Sequence, residues 1–277
     1  TDDAIAMYNR ALEIDPSHTP ALHYKGVALG RKGRYEEAVK EFDQALEINP
    51  SFAEAWYDKG KAQASLGMYR EAVRAFDKAL GLEKNYAEVY FHKGLALAKL
   101  GRQEDAIIAF NKNIDLDAGN VDAYYNKGLS LDAIGRKLDA IEAFDRALKI
   151  TPASVDLWLH RGKALSDLGR YNDAIEASVK TLGIDPTNAD AWYLKGTALF
   201  ALAGYEDAIE AFSKALEIRP GFETAFYYKG RSLFEMGMNN EAVVCYDNAL
   251  APQPKYIEAL YHKGAALTSL TPYEQAI

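Results

Sequence analysis

Three histidines, His92, His160 and His262, each stand two residues before the glycine of a Lys-Gly or Arg-Gly pair. Imidazoles recurring in one register invite a metal centre. The spacing excludes a shared ion. At least two further helix pairs separate each histidine from the next, and packed helices stand ~8 to 10 Å apart, whereas zinc takes its ligands at ~2.1 Å. Solvated side chains are expected instead. No glycine loop that would cradle phosphates occurs, because each glycine falls inside or at the end of a helical stretch. The acids lie on polar helix faces and form no recurrent Ser/His/Asp or paired-carboxylate arrangement. Neither catalysis nor a metal or cofactor is expected. Cys245 is the one cysteine, which excludes an internal disulfide and a cysteine zinc site and fits a reducing, cytoplasmic compartment. Its sister positions hold Ala75, Ala109, Ala143 and Ala211, so it reads as a small buried filler.

The pair beside those histidines organises the whole chain. It stands at Lys25-Gly26, Lys59-Gly60, Lys93-Gly94, Lys127-Gly128, Arg161-Gly162, Lys195-Gly196, Lys229-Gly230 and Lys263-Gly264, a period of 34 residues. A fixed period of this size marks units that stack on their neighbours. The 277 residues are therefore read as one elongated array. Residues 1–18 supply a lone second helix, seven full repeats run over about 19–256, and 257–277 begin an eighth. Alanine, leucine, glutamate and lysine dominate and proline is scarce, which favours an all-α fold. The formal charge of −8 argues against nucleic acid or an anionic membrane as partner. No apolar run reaches the ~20 residues of a membrane span. Thr1 falls mid-repeat and is not a methionine, so the chain reads as a slice of a longer protein.

Seven residues after each marker glycine comes another, at Gly33, Gly67, Gly101, Gly135, Gly169 and Gly237, where a first helix of about 13 residues should end in a left-handed turn. One repeat has Ala203-Gly204 there and the last has Thr271-Pro272. Acids such as Glu36-Glu37 and Glu206-Asp207 open the second helices, and Pro50, Pro152, Pro186, Pro220 and Pro254 punctuate their ends. With Trp56, Gly60, Ala72, Phe76 and Ala79 in one unit and Trp192, Gly196, Ala208, Phe212, Ala215 and Pro220 in another, the chain closely resembles the tetratricopeptide repeat. The resemblance covers essentially all residues. It implies an α-solenoid of helix-turn-helix repeats in a right-handed superhelix, first helices lining a concave groove. Some members grip a chaperone's terminal carboxylate with a Lys, Asn, Asn, Lys, Arg set. Here Asn126 has Phe91, Leu95, Asp156 and His160 around it, so that role is not expected.

At ~100° per residue the first helix divides into a packing face and a groove face. One groove row reads His23, Tyr57, Phe91, Tyr125, Leu159, Tyr193, Tyr227 and Tyr261; another reads Glu54, Glu88, Asp122, Asp156, Asp190 and Glu258, with Pro20 and Thr224. An aromatic ladder beside an acidic rail suits a protein or peptide with apolar and basic residues. Because the aromatic row is nearly constant, it is expected chiefly to brace neighbouring repeats. Selectivity belongs to rows that vary, which carry Lys61, Lys163 and Arg231, and Asp132, Phe200 and Phe234. Phe200 and Phe234 are the expected apolar anchor. The marker cation is expected to pack its stem and reach a carboxylate, Asp43, Asp77, Asp145 and Asp247 being available, with Val179 leaving Arg161 in need of another acceptor.

Three departures should soften joints. Ser178 and Thr181 replace Phe and Ala, with residues 178–188 expected to open first; Asn113 replaces an Ala; Pro252 and Pro254 should shorten a second helix. The preferred reading is a peptide-binding interaction scaffold. The alternatives are the substrate-recognition arm of a larger enzyme such as a glycosyltransferase, and a rod that self-associates end to end.

Overall fold

The computed structural model describes residues 2–270, so Thr271-Pro272 and the start of the last second helix lie outside the described residues. All regular structure among the described residues is α-helical. It falls into two compact units, one ending at Arg136 and the other starting at Lys137.

The first unit holds α1 (Asp2–Ile14), α2 (Thr19–Arg31), α3 (Tyr35–Ile48), α4 (Ala53–Ser65), α5 (Tyr69–Leu82), α6 (Ala87–Lys99), α7 (Gln103–Leu116) and α8 (Val121–Ala133). Helices α2, α4 and α6 are first helices, each paired with the second helix that follows. Gly67 shows why α4 stops where it does. Its φ of 75° carries the chain through the left-handed turn that lets Met68 N–H reach back to the Gln63 carbonyl.

Pairing within a hairpin depends on the marker glycine. A β-carbon on Gly60 would lie 2.5 Å from Cε1 of Phe76, so only glycine lets that ring close on the first helix. Phe42, Phe76 and Phe110 are buried to 2% exposure or less, and each such ring contributes roughly 1.5 to 3 kcal/mol by leaving water. Hairpins then join through bonds that reach from a later first helix to an earlier second helix. The Trp56 indole N–H donates to the Pro50 carbonyl at 2.9 Å. Lys59 Nζ meets Asp43 at 2.5 Å and Lys93 Nζ meets Asp77 at 2.6 Å. Asn113, expected as a weak point, is buried and donates from Nδ2 to the Ala87 carbonyl at 2.9 Å, tying α7 to the start of α6.

The second unit holds α9 (Lys137–Ile150), α10 (Val155–Asp167), α11 (Tyr171–Ile184), α12 (Ala189–Ala201), α13 (Tyr205–Ile218), α14 (Glu223–Glu235), α15 (Asn239–Leu250) and α16 (Ile257–Leu270). Side-chain caps start α10 and α12, where Ser154 and Asn188 accept from Leu157 N–H and Ala191 N–H. Pro252 and Pro254 have the expected effect, since α15 has 12 residues against 14 in α13. Ala203 takes the left-handed turn with φ 59°, the position glycine fills elsewhere.

The Trp-to-Pro bond recurs at Trp158–Pro152, 2.8 Å, and Trp192–Pro186, 3.1 Å. Arg161 does not need a new acceptor, contrary to the expectation from Val179. Its Nε meets Asp145 at 2.6 Å, because the pair crosses to the preceding hairpin. Val179 instead deprives Lys195, whose ammonium lies 5.1 Å from the Trp192 ring centre, as that of Lys59 lies 5.0 Å from Trp56. Ser178 and Thr181 are fully buried, each hydroxyl donating to a carbonyl four residues back at 2.8 and 3.0 Å.

Candidate functional site

On the first unit the groove face of α2, α4 and α6 is built in two layers. The aromatic row lies deeper. The Tyr57 ring sits 6.2 Å from Phe76, 5.1 Å from Tyr86 and 5.6 Å from His92, so it touches its own second helix and the next hairpin at once. Phe91 packs on Phe110 and His92 within its own hairpin. The Tyr57 contacts brace one repeat against the next. His92 is not a solvated side chain as expected: it stacks on Phe76 at 6.4 Å, and burial, helped by the charge of Lys61, pushes its imidazole below the ordinary value. The period alone did not disclose that this register lies over the preceding aromatic ring.

Above that layer Lys61 is held in place. Its ammonium lies 2.7 Å from Asp58 Oδ1 and 4.4 Å from the Tyr57 ring centre. Asp58 Oδ2 meets Nε2 of the buried His23 at 2.8 Å. Burial by itself would raise the Asp58 carboxyl, but the bonds from His23 and Lys61 outweigh it and hold the group below its usual range. Asp58 was not among the expected site residues. Its one sequence signal is a carboxylate three positions before Lys61, the spacing of neighbours on a helix. Glu54 and Glu88 are exposed on the same face and, after burial itself, add to what raises the Tyr86 hydroxyl to about 12. Tyr125 and Asp132 are half-buried on α8.

On the second unit the varied rows meet around Arg231. Its guanidinium lies 5.0 Å from the Phe200 ring centre, with Nη1 3.4 Å from the Tyr227 hydroxyl and Nη2 3.9 Å from Glu235. Phe200 also packs edge-on to Tyr228 at 5.7 Å. No ring contact joins Phe200 to Phe234 among the described residues; Phe234 is half-buried beside Tyr227 and Tyr246. The two rings expected as a pair thus stand apart, and Phe200 is capped by a cation instead. Tyr227 is buried at 6% exposure, against Tyr246, Tyr256 and His262. Tyr193 packs on Phe212, Phe222 and Tyr228, and burial pushes its hydroxyl up to about 12. Lys163 is exposed, and Tyr261 is 72% exposed. The acidic rail is broken at Asp190, whose two oxygens take Arg219 Nη1 and Nη2 at 3.2 and 2.8 Å.

Among the described residues no group of three or more His, Cys, Asp or Glu side chains could hold a metal ion, and no helix is long and apolar enough to cross a membrane. The tetratricopeptide repeat models match residues 7–40, 57–121, 121–154 and 159–221, and a TPR repeat model matches 26–67. No curated protein matches the sequence. Similar solved structures include MamA, 29% identical with TM-score 0.59 over 61% of this chain and 92% of that one. The C-terminal part of a TPR repeat-containing protein from Cytophaga hutchinsonii is 17% identical with TM-score 0.75, covering 90% and 99%. YrrB, described as a TPR protein with an unusual peptide-binding site, is 24% identical with TM-score 0.60, covering 69% and 99%. The last two likenesses concern the fold.

Proposed function

Since the chain belongs to the tetratricopeptide repeat family, we propose that it is a non-enzymatic protein-interaction scaffold whose first-helix faces hold a peptide or helix of a partner protein. One observation carries this. The constant residues of the face are spent on framework, whereas the varied ones stay accessible and are pinned in fixed poses, Lys61 by Asp58 and Tyr57, Arg231 by Phe200 and Tyr227. Side chains already ordered before a partner arrives lose little entropy on binding. Partly exposed aromatic and cationic groups of this kind supply binding energy at interfaces. With Glu54 and Glu88 on the same face, a partner carrying apolar and basic residues is favoured.

A peptide-array screen of the wild-type chain beside Phe200→Ala, Phe234→Ala and Lys163→Glu tests the reading. Selective loss of a bound set in at least one variant is expected; identical binding by all four proteins removes the assignment.

A further inference from the structure

The groove face of the first unit contains a cleft of about 290 Å³, floored by Val27, Gly30 and Phe42 and rimmed by Arg31, Asp58 and Lys61. Gly30 opens it. A β-carbon there would meet nothing within 4 Å, while the same register position carries Phe200 and Phe234 in the second unit. The volume lies at the lower edge of ligand pockets, room for one side chain rather than a cofactor.

The rim has a surplus of donors. Both oxygens of Asp58 are engaged, one by Lys61 and one by His23. Arg31 is exposed, with no ion pair or hydrogen bond from its side chain among the described residues, and the Lys61 ammonium has further N–H groups beyond the one on Asp58. An apolar hollow edged by uncommitted cations is complementary to an apolar group carried next to an anion. We propose that this pit receives an aliphatic side chain of a partner peptide whose adjoining residue bears a carboxylate. The inference rests on the scaffold reading and adds a place on the first unit and a chemistry for what docks there. Basic residues of the same partner belong beside the exposed Glu54 and Glu88, near the starts of α4 and α6.

The test uses the full chain with methyl-labelled Val and Ala, titrated with N-acetyl-leucyl-glutamate amide and with its leucyl-lysine counterpart. Saturable shifts of the Val27 and Ala62 methyls are expected with the glutamate peptide, at an affinity about tenfold above the lysine peptide. Gly30→Phe should abolish them by filling the pit, Gly30→Ala should weaken them less, and Arg31→Glu should erase the preference for glutamate. Equal affinities for the two peptides overturn the proposal, as does an undiminished response in Gly30→Phe. Should Gly30→Phe not fold, Arg31→Glu decides alone, since a retained glutamate preference also overturns it. Failure here alongside selective array binding sinks the pit but leaves the scaffold standing; array binding that no groove variant changes sinks the scaffold itself.

Discussion

Leu194 reaches back over Gly162 from the following hairpin, its Cδ2 2.9 Å from where a β-carbon on that glycine would stand. In the sister repeats a phenylalanine or tyrosine ring of the second helix takes this place, as Phe212 does over Gly196. Ser178 vacates it, and Leu194, buried at 6% exposure, fills it from the other side. The expected loss of an aromatic is thus answered by a swap of small for large across the joint.

Leu194→Ala should therefore cost about 2 to 5 kcal/mol and release hydrogen-exchange protection first in α11 and α12. Ser178→Phe alone should destabilise by overpacking, and adding Leu194→His, the residue that three sister positions carry as His92, His160 and His262, should restore stability. Urea unfolding of the three variants checks this; a stabilising Ser178→Phe on its own would show that the space is empty.

Gly60→Ala and Gly30→Ala each place a methyl inside a first helix, with opposite surroundings. The first meets the Phe76 ring at 2.5 Å and the second, among the described residues, meets nothing within 4 Å. A loss of about 1 to 3 kcal/mol is expected for Gly60→Ala and a gain of about 0.5 to 1 kcal/mol for Gly30→Ala. Matching signs in thermal or chemical unfolding would contradict the close-approach argument.

Ala203→Gly should stabilise the α12–α13 turn. An L-residue in the left-handed region costs about 1 to 2 kcal/mol relative to glycine, and Ala203 is exposed, so no packing is lost. A higher unfolding midpoint is the expected result; no change would mean the turn relaxes freely.

Acid should weaken the first unit before its carboxylates titrate. Because His92 is held below its ordinary value, the unfolded chain takes up a proton near about pH 6.5 that the folded chain resists. Stability then falls as pH drops through and below that range. Measured between about pH 7.5 and about pH 5.5, the fall should be smaller in His92→Phe; an equal fall would place the dependence elsewhere. The Asp58 carboxyl, depressed in the folded state, adds a separate loss only below about pH 4.

Much of this was legible from spacing because one stereochemical unit is copied. The glycine that ends most first helices and the prolines that shorten α15 act on the backbone locally, so a single sequence exposes them. What crosses between repeats was less legible. Register within the repeat pairs Arg161 with Val179, whereas its carboxylate, Asp145, lies behind it in the preceding second helix. Helical angle puts His92 on the groove face, where a solvated side chain is expected, but the ring of Phe76 rises to meet it. The cleft lined by Asp58 and Arg31 is illegible for a different reason: it is opened by Gly30, a missing side chain, and no pattern of residue types displays an empty space.

The indole-to-proline bonds give the stack a direction. Trp56, Trp158 and Trp192 each clasp the closing turn of the hairpin before them. A repeat that loses its successor therefore loses the clasp on its own end, while one that loses its predecessor keeps it. Unravelling should accordingly travel more readily toward the amino terminus than away from it.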